Sequence, residues 1–196
     1  MERFDIQHNR RLAMEDFCVL SGKTSDHKYS GSYETGGKIV SLFTRDQYQV
    51  ELYWRYVLFS CMVGNDDAHL KNLSLLDASE NNGSPKLSPL YDVVNTDIYP
   101  TTDKELALKL NKSKVFPNRD NLLKFARERK IIKPADIIEQ FTDIISDQIN
   151  NNPIFDDFPA LKESIAQSLT RSVATNNIFL TADVKRPKKR KTDSLL

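Results

Sequence analysis

Between Thr44 and Val63 the chain reads TRDQYQVELYWRYVLFSCMV, and Val50, Tyr53, Trp54, Val57, Leu58 and Cys61 recur three and four residues apart. Residues so spaced share one face of an α-helix, which predicts a helix here with Thr44 or Asp46 as its cap. The C-terminal half of this stretch is apolar on nearly every side. A soluble chain satisfies such a segment only by wrapping other elements around it, so it is expected to be the buried spine of the domain. Gly64 stands where a helix stop is needed. Any fold must be built around this helix, and the residues after Gly64 leave the core at one defined point.

Those residues read VGNDDAHLKN, followed by NLSLLD, whose alternation predicts a short strand. ASENNGSP is a turn signal, and KLSPLYDVV returns as a second short strand before Asp92. Leu106, Leu108 and Leu110 alternate as a further strand. Upstream, Phe4 and Ile6 alternate like the end of a strand, and Arg11 to Leu20 carries Leu12, Phe17 and Leu20 at near-helical spacing, with Gly22 as its stop. From there to Gly37 the Ser, Gly, Thr and Lys content predicts loop. Downstream, three amphipathic helices are expected: DNLLKFARERK capped by Asn118 or Asp120, PADIIEQFTDIISDQINN from Pro134, and PALKESIAQSLTRSVATNN from Pro159. The fold class is therefore mainly α with a few short β-strands.

A length of 196 residues suits one domain over 1–182, followed by a basic, disordered tail over 183–196. The tail holds KRPKKRK, which resembles a nuclear-localisation or polyanion-binding run and equally suits a solvated tail. Residues 1–184 carry 22 basic and 26 acidic side chains, so the body has a net charge of −4 and is no basic nucleic-acid platform. Nucleic acid is expected to meet the chain only indirectly or through the tail. Cys18 and Cys61 lie in apolar contexts without metal-ligand spacing, which predicts buried free thiols in a reducing compartment. No apolar run reaches the roughly 18 residues of a membrane span, and MERFDIQHNRR has no apolar signal core, so a cytoplasmic protein is expected.

The chemistry concentrates after the spine. Asp67 and Asn72 stand five apart, and Asp92 follows the expected hairpin. Phosphoryl transfer from ATP needs such an order of parts: a carboxylate near the acceptor hydroxyl, then an amide and a carboxylate converging on Mg²⁺. Mg²⁺ selects hard oxygen ligands and keeps phosphate oxygens and waters around them. In D-x-x-x-x-N the Asp is the catalytic base and the Asn holds a metal. Lys71 lies between them, where a cation offsets charge on the transferred group. Two plainer readings stand beside this one. The cluster can cap and turn its own backbone, and His69 can serve a metal, although no second His or Cys sits at ligand spacing. A metal-dependent hydrolase built on Asp66, Asp67, His69 and Asp92 is the corresponding alternative chemistry.

Taken in order, MERFDI, MEDFCVL, KYSGSYETGG, VGNDDAHLKNLSLL and LSPLYDVVNT resemble the C-terminal part of the HipA-like toxin kinases of bacterial toxin–antitoxin systems, over about residues 2–96. The resemblance implies a serine/threonine kinase of protein-kinase-like bilobal fold that uses ATP and Mg²⁺ and is inhibited by a DNA-binding antitoxin. Its protein substrates include aminoacyl-tRNA synthetases. Carried over by motif, Asp67 looks like the base, Asn72 and Asp92 like the metal ligands, and Glu2 and Phe4 like the adenine-contacting hinge. Neither a Gly-rich phosphate loop nor a VAIK-like strand occurs in the chain. The resemblance therefore covers the C-lobe alone, for which a separate N-lobe protein is an expected partner. The alternative is a non-catalytic relative acting as a binding or regulatory module for an antitoxin or partner kinase.

Overall fold

A computed structural model describes residues 3–7, 9–77, 83–99 and 104–175. In chain order the elements are β1 (Ile6–Gln7), β2 (Arg10–Arg11), β3 (Met14–Asp16), α1 (Phe17–Leu20), α2 (Tyr33–Thr44), α3 (Gln47–Met62), β4 (Ser74–Leu76), β5 (Lys86–Leu87), α4 (Arg119–Glu128), α5 (Pro134–Asn151), α6 (Ile154–Asp157) and α7 (Pro159–Val173). The expected class, mainly helical with a few short strands, is what the chain adopts.

The spine is α3. Asp46 is its cap, accepting from the Tyr48 N–H, whereas Thr44 turns back to donate to Val40 O at the end of α2. Tyr53, Trp54 and Leu58 are completely buried, and α2, α5, α7 and β5 pack around them. Burying a side chain of that size contributes about 2 to 3 kcal/mol, so α3 holds its neighbours together far more than its own helix propensity could. Asn118 caps α4 by accepting from the Asn121 N–H, and prolines open α5 and α7 as their sequences predict.

Three local expectations are corrected. The stretch Arg11 to Leu20 is helical only in its last four residues. Met14–Asp16 instead pairs antiparallel with β4, Met14 opposite Leu76, and Asp16 then caps α1 by accepting from the Val19 N–H. Sheet pairing outweighs a helical spacing carried by only three apolar residues. The glycine-rich segment expected as loop up to Gly37 becomes helix from Tyr33, capped by Ser32. Gly36 belongs inside α2 because the Tyr53 hydroxyl presses against it where a Cβ would stand. Leu106, Leu108 and Leu110 are buried in an extended segment, but only Lys109 and Leu110 make isolated bridges, to Ser32 and Ser113, so no strand forms.

β3, β4 and β5 form one small antiparallel sheet, and β1 and β2 a separate hairpin. The three-stranded sheet sits directly beyond the loop that leaves α3 and so frames that loop. Most of the ASENNGSP turn, the basic tail and Glu2 lie outside the described residues. Cys18 and Cys61 are buried free thiols. Among the described residues no helix is long and apolar enough to cross a membrane.

Candidate active site

Gly64 ends α3 in the left-handed region at φ +72°, and the chain turns sharply into Asn65. From there the backbone is held residue by residue. Asn65 is buried and its Oδ1 accepts from the Asp67 N–H at 3.1 Å. Tyr33 of α2 donates its hydroxyl to Ala68 O at 3.1 Å. Leu70 is fully buried and anchors a short 3-10 turn over Leu70–Asn72, whose cap is the His69 ring, with Nδ1 accepting from the Lys71 N–H at 3.3 Å. With Nδ1 an acceptor, Nε2 carries the proton and faces Asp67 Oδ1 at 4.0 Å. Burial pushes the His69 pKa down against the pull of the Asp67 carboxylate, which keeps the ring neutral.

Asn72 brings the two arms of the site together. Its Nδ2 donates to Asp67 O at 3.1 Å and to Asp92 Oδ2 at 3.0 Å. One amide thus joins the main-chain carbonyl of Asp67 to the carboxylate of Asp92. Asp92 adopts φ +54°, a conformation that costs an L-residue about 1 kcal/mol and persists where neighbours impose it. Its carboxylate is held by Asn72, and the preceding Tyr91 is anchored by its hydroxyl, which donates to Lys71 O at 2.7 Å and lies 2.6 Å from Ser74 Oγ.

The Asp67 carboxylate is two-fifths exposed, and Tyr29 donates its hydroxyl to Oδ1 at 2.7 Å. That hydrogen bond, with burial and the charges of Asp67 and Asp66, raises the Tyr29 phenol to about 12, so it remains a donor at all ordinary pH values. Tyr29 stands edge-on to His69 with ring centroids 5.1 Å apart. Lys71 extends toward β3, its Nζ 3.6 Å from Asp16 Oδ2. Phe4 packs against Tyr91 at 5.7 Å between ring centroids.

The donor chemistry suits a small hard cation. With Asn72 Nδ2 committed, the oxygens left in the pair are Asn72 Oδ1 and Asp92 Oδ1, and Mg²⁺ takes one or two such protein ligands and completes its shell with phosphate and water. Among the described residues no group of three or more His, Cys, Asp or Glu side chains could hold a metal ion. The hydrolase arrangement of Asp66, Asp67, His69 and Asp92 is accordingly not assembled, and His69 is a turn cap. Tyr29, Asp16 and Tyr91 were not singled out from the sequence. Each meets the site through a contact spanning 20 residues or more, for which local spacing carries no signal.

Comparisons with known proteins identify the family and the fold. The family model described as the HipA-like C-terminal domain matches residues 1–151. A protein of Sinorhizobium fredii named "Putative kinase Y4dM" is 30% identical over 163 residues, which is 79% of this chain and 39% of that protein. A second from the same organism, "Putative kinase Y4mE", is 31% identical over 124 residues, 57% of this chain and 28% of that protein. The chain therefore spans about two-fifths or less of these relatives' length. Among solved structures, HipA of Shewanella oneidensis, determined in complex with HipB and operator DNA, superposes with a TM-score of 0.68 at 20% identity, over 87% of this chain and 46% of that one. A spine helix ending in a D-x-x-x-x-N loop joined to a second aspartate, on a fold shared with HipA and over most of the chain's length, places the protein in the HipA-like C-terminal domain family.

Proposed function

We propose that this domain is the catalytic C-lobe of a protein kinase that transfers the γ-phosphoryl group of ATP to a serine or threonine hydroxyl of a protein. The observation that carries the reading is the Asn72 amide, which joins the main chain of Asp67 to the carboxylate of Asp92 and so ties the loop that carries the base to the two oxygen ligands. Asp67 orients the acceptor hydroxyl and takes its proton, a role worth about 10²- to 10⁴-fold in rate. Tyr29 holds Oδ1, which leaves Oδ2 facing the acceptor. Asn72 Oδ1 and Asp92 would hold Mg²⁺, which would neutralise phosphate charge when bound. Lys71 pairs with Asp16 and reaches the phosphates by exchanging that partner. Phe4, on Tyr91, forms part of the adenine wall. A phosphate-covering N-lobe, on this polypeptide or another, completes the cradle, since positioning supplies most of the rate of phosphoryl transfer.

By analogy with the HipA–HipB complex, the partner is an antitoxin; the family resemblance, and not that complex, supplies the substrate, a protein such as an aminoacyl-tRNA synthetase, and the cytoplasm as the compartment. A second reading, a regulatory module without activity, is favoured by one observation: the hydroxyl of Tyr29 and the carboxylate of Asp16 already engage Asp67 and Lys71. Phosphate transfer from radiolabelled ATP by a polypeptide that joins this domain to its N-lobe separates the two. Kinase function predicts a signal that falls at least about 100-fold in Asp67→Ala. Equal signal from both proteins defeats the catalytic assignment, and absence of signal from an ATP-binding wild type supports the regulatory one.

A further inference from the structure

Helix α7 lies beyond residue 151, where the family match ends, and it carries Ser164, Ser168 and Ser172 four residues apart on one buried face. Burial alone selects apolar side chains for such a face. Two of these serines are hydrogen-bonded to the segment just after Asp92. Ser164 Oγ donates to Asn95 Oδ1 at 2.9 Å, and Ser168 Oγ to Asp97 Oδ2 at 2.9 Å. Arg171, lying over the Phe116 ring, reaches the same Asp97 oxygen at 3.1 Å. Ser172 Oγ, although buried, has no partner among the described residues.

The other side of that segment grips the end of α3. Asn95 Nδ2 donates to Val63 O at 2.7 Å, Thr96 donates through both its N–H and its hydroxyl to Gly64 O at 3.0 Å, and Thr96 Oγ1 accepts from the Asp66 N–H at 2.9 Å. The three layers meet at Gly64, where a Cβ would lie 2.6 Å from Ser168 Oγ and 3.0 Å from Asn95 Nδ2. One clamp therefore touches the chain three residues after Asp92 and one residue before Asp67. Together with the Asn72 amide and the Tyr91–Lys71 hydrogen bond, these contacts fix the two arms of the site relative to each other.

We propose that α7 is a latch, with Ser164 and Ser168 as positioning residues that hold the 95–97 segment so that Asp92 and Asn72 stand in register for a divalent ion. The proposal rests on the metal reading given above and specifies what maintains that site. When the latch opens, the fraction of molecules with a competent pair falls, and apparent affinity falls with it. Because alanine suits a helix interior, Ser164→Ala/Ser168→Ala removes both contacts while preserving α7.

The test is Mn²⁺ binding, followed by electron paramagnetic resonance of the free ion, to the full 196-residue chain at a temperature where circular dichroism shows every variant folded. The double variant is expected to bind Mn²⁺ about threefold or more weakly, roughly the effect of losing one or two hydrogen bonds of ordinary net strength. Ser172→Ala, on the same face but removing no contact, is expected to match wild type, and Asp92→Asn to lose most binding. A purely structural α7 would lower the melting temperature of the double variant and leave its Mn²⁺ affinity unchanged; that result, with Asp92→Asn impaired, overturns the latch alone. An unimpaired Asp92→Asn overturns the metal reading and the latch with it. If the double variant does not fold, Ser168→Ala alone carries the same expectation.

Discussion

Gly64→Ala probes the point where α3, the 95–97 segment and α7 meet. Two costs add. Alanine at φ +72° costs about 1 to 2 kcal/mol for the left-handed backbone. Its Cβ would then stand 2.6 Å from Ser168 Oγ, 3.0 Å from Asn95 Nδ2 and 3.2 Å from Asp97 Oδ2, all in a buried polar cluster with little room to shift, and overpacking of this kind costs about 1 to 3 kcal/mol. The sum is about 3 kcal/mol, or a fall in melting temperature of about 6 to 12 °C for a chain of this size. Gly22→Ala is the matched control, because Gly22 has φ +67° with nothing within 4 Å of its Cβ position, so only the backbone cost applies, about 1 to 2 kcal/mol. Urea titrations of both variants beside wild type measure the difference. If the two lose equal stability to within about 0.5 kcal/mol, the packed junction at Gly64 is not what the contacts indicate.

Other expectations follow from single contacts. Asp46→Ala should cost about 1 kcal/mol in urea unfolding through loss of the α3 cap, and more than the loss of the cap at α1 by Asp16→Ala, which anchors only four residues. Burial raises the Cys61 thiol to about 12, so alkylation at pH 8 should label it only as the protein unfolds; rapid labelling of the native chain contradicts that burial. The same shift sets an alkaline limit. A group whose folded pKa is raised contributes stability that is complete below its unfolded value, near 9 for a thiol, and is lost as pH rises toward the folded value, so thermal stability should fall between pH 9 and 12, with the raised phenols of Tyr29 and Tyr91 adding to the slope. On the acid side His69 has a lowered folded pKa, so its contribution is complete above about 6.5 and is lost as pH falls below that. His69→Gln should flatten the stability profile below pH 6.5, and an unchanged profile would mean that His69 is not the group titrating.

Much of this molecule could be read from local signals. The spine helix, its end at Gly64 and the proline-led helices all depend on spacing within one or two turns, and each is where periodicity and capping place it. What local signals missed was set by long-range contact. Met14–Asp16 became strand because β4 offered it a partner, and the glycines at 36 and 37 entered a helix because Tyr53 and Arg129 lie against them. The same holds within the site. Asp67, Asn72 and Asp92 were legible as a motif, whereas Tyr29, Tyr91, Asp16 and the α7 serines contribute through contacts whose sequence separations run from 20 to more than 70 residues. Such partners have no period to detect.

Under the proposed function, Asn72 and Asp92 share a divalent ion beside Asp67. Crystals of the chain soaked with Mn²⁺ and ATP, with anomalous scattering collected at the manganese edge, test it directly. An anomalous peak is expected within about 2.0 to 2.4 Å of Asn72 Oδ1 and of an Asp92 carboxylate oxygen, with a phosphate oxygen in the same shell. A nucleotide bound in the cleft with no manganese between those two side chains would contradict it.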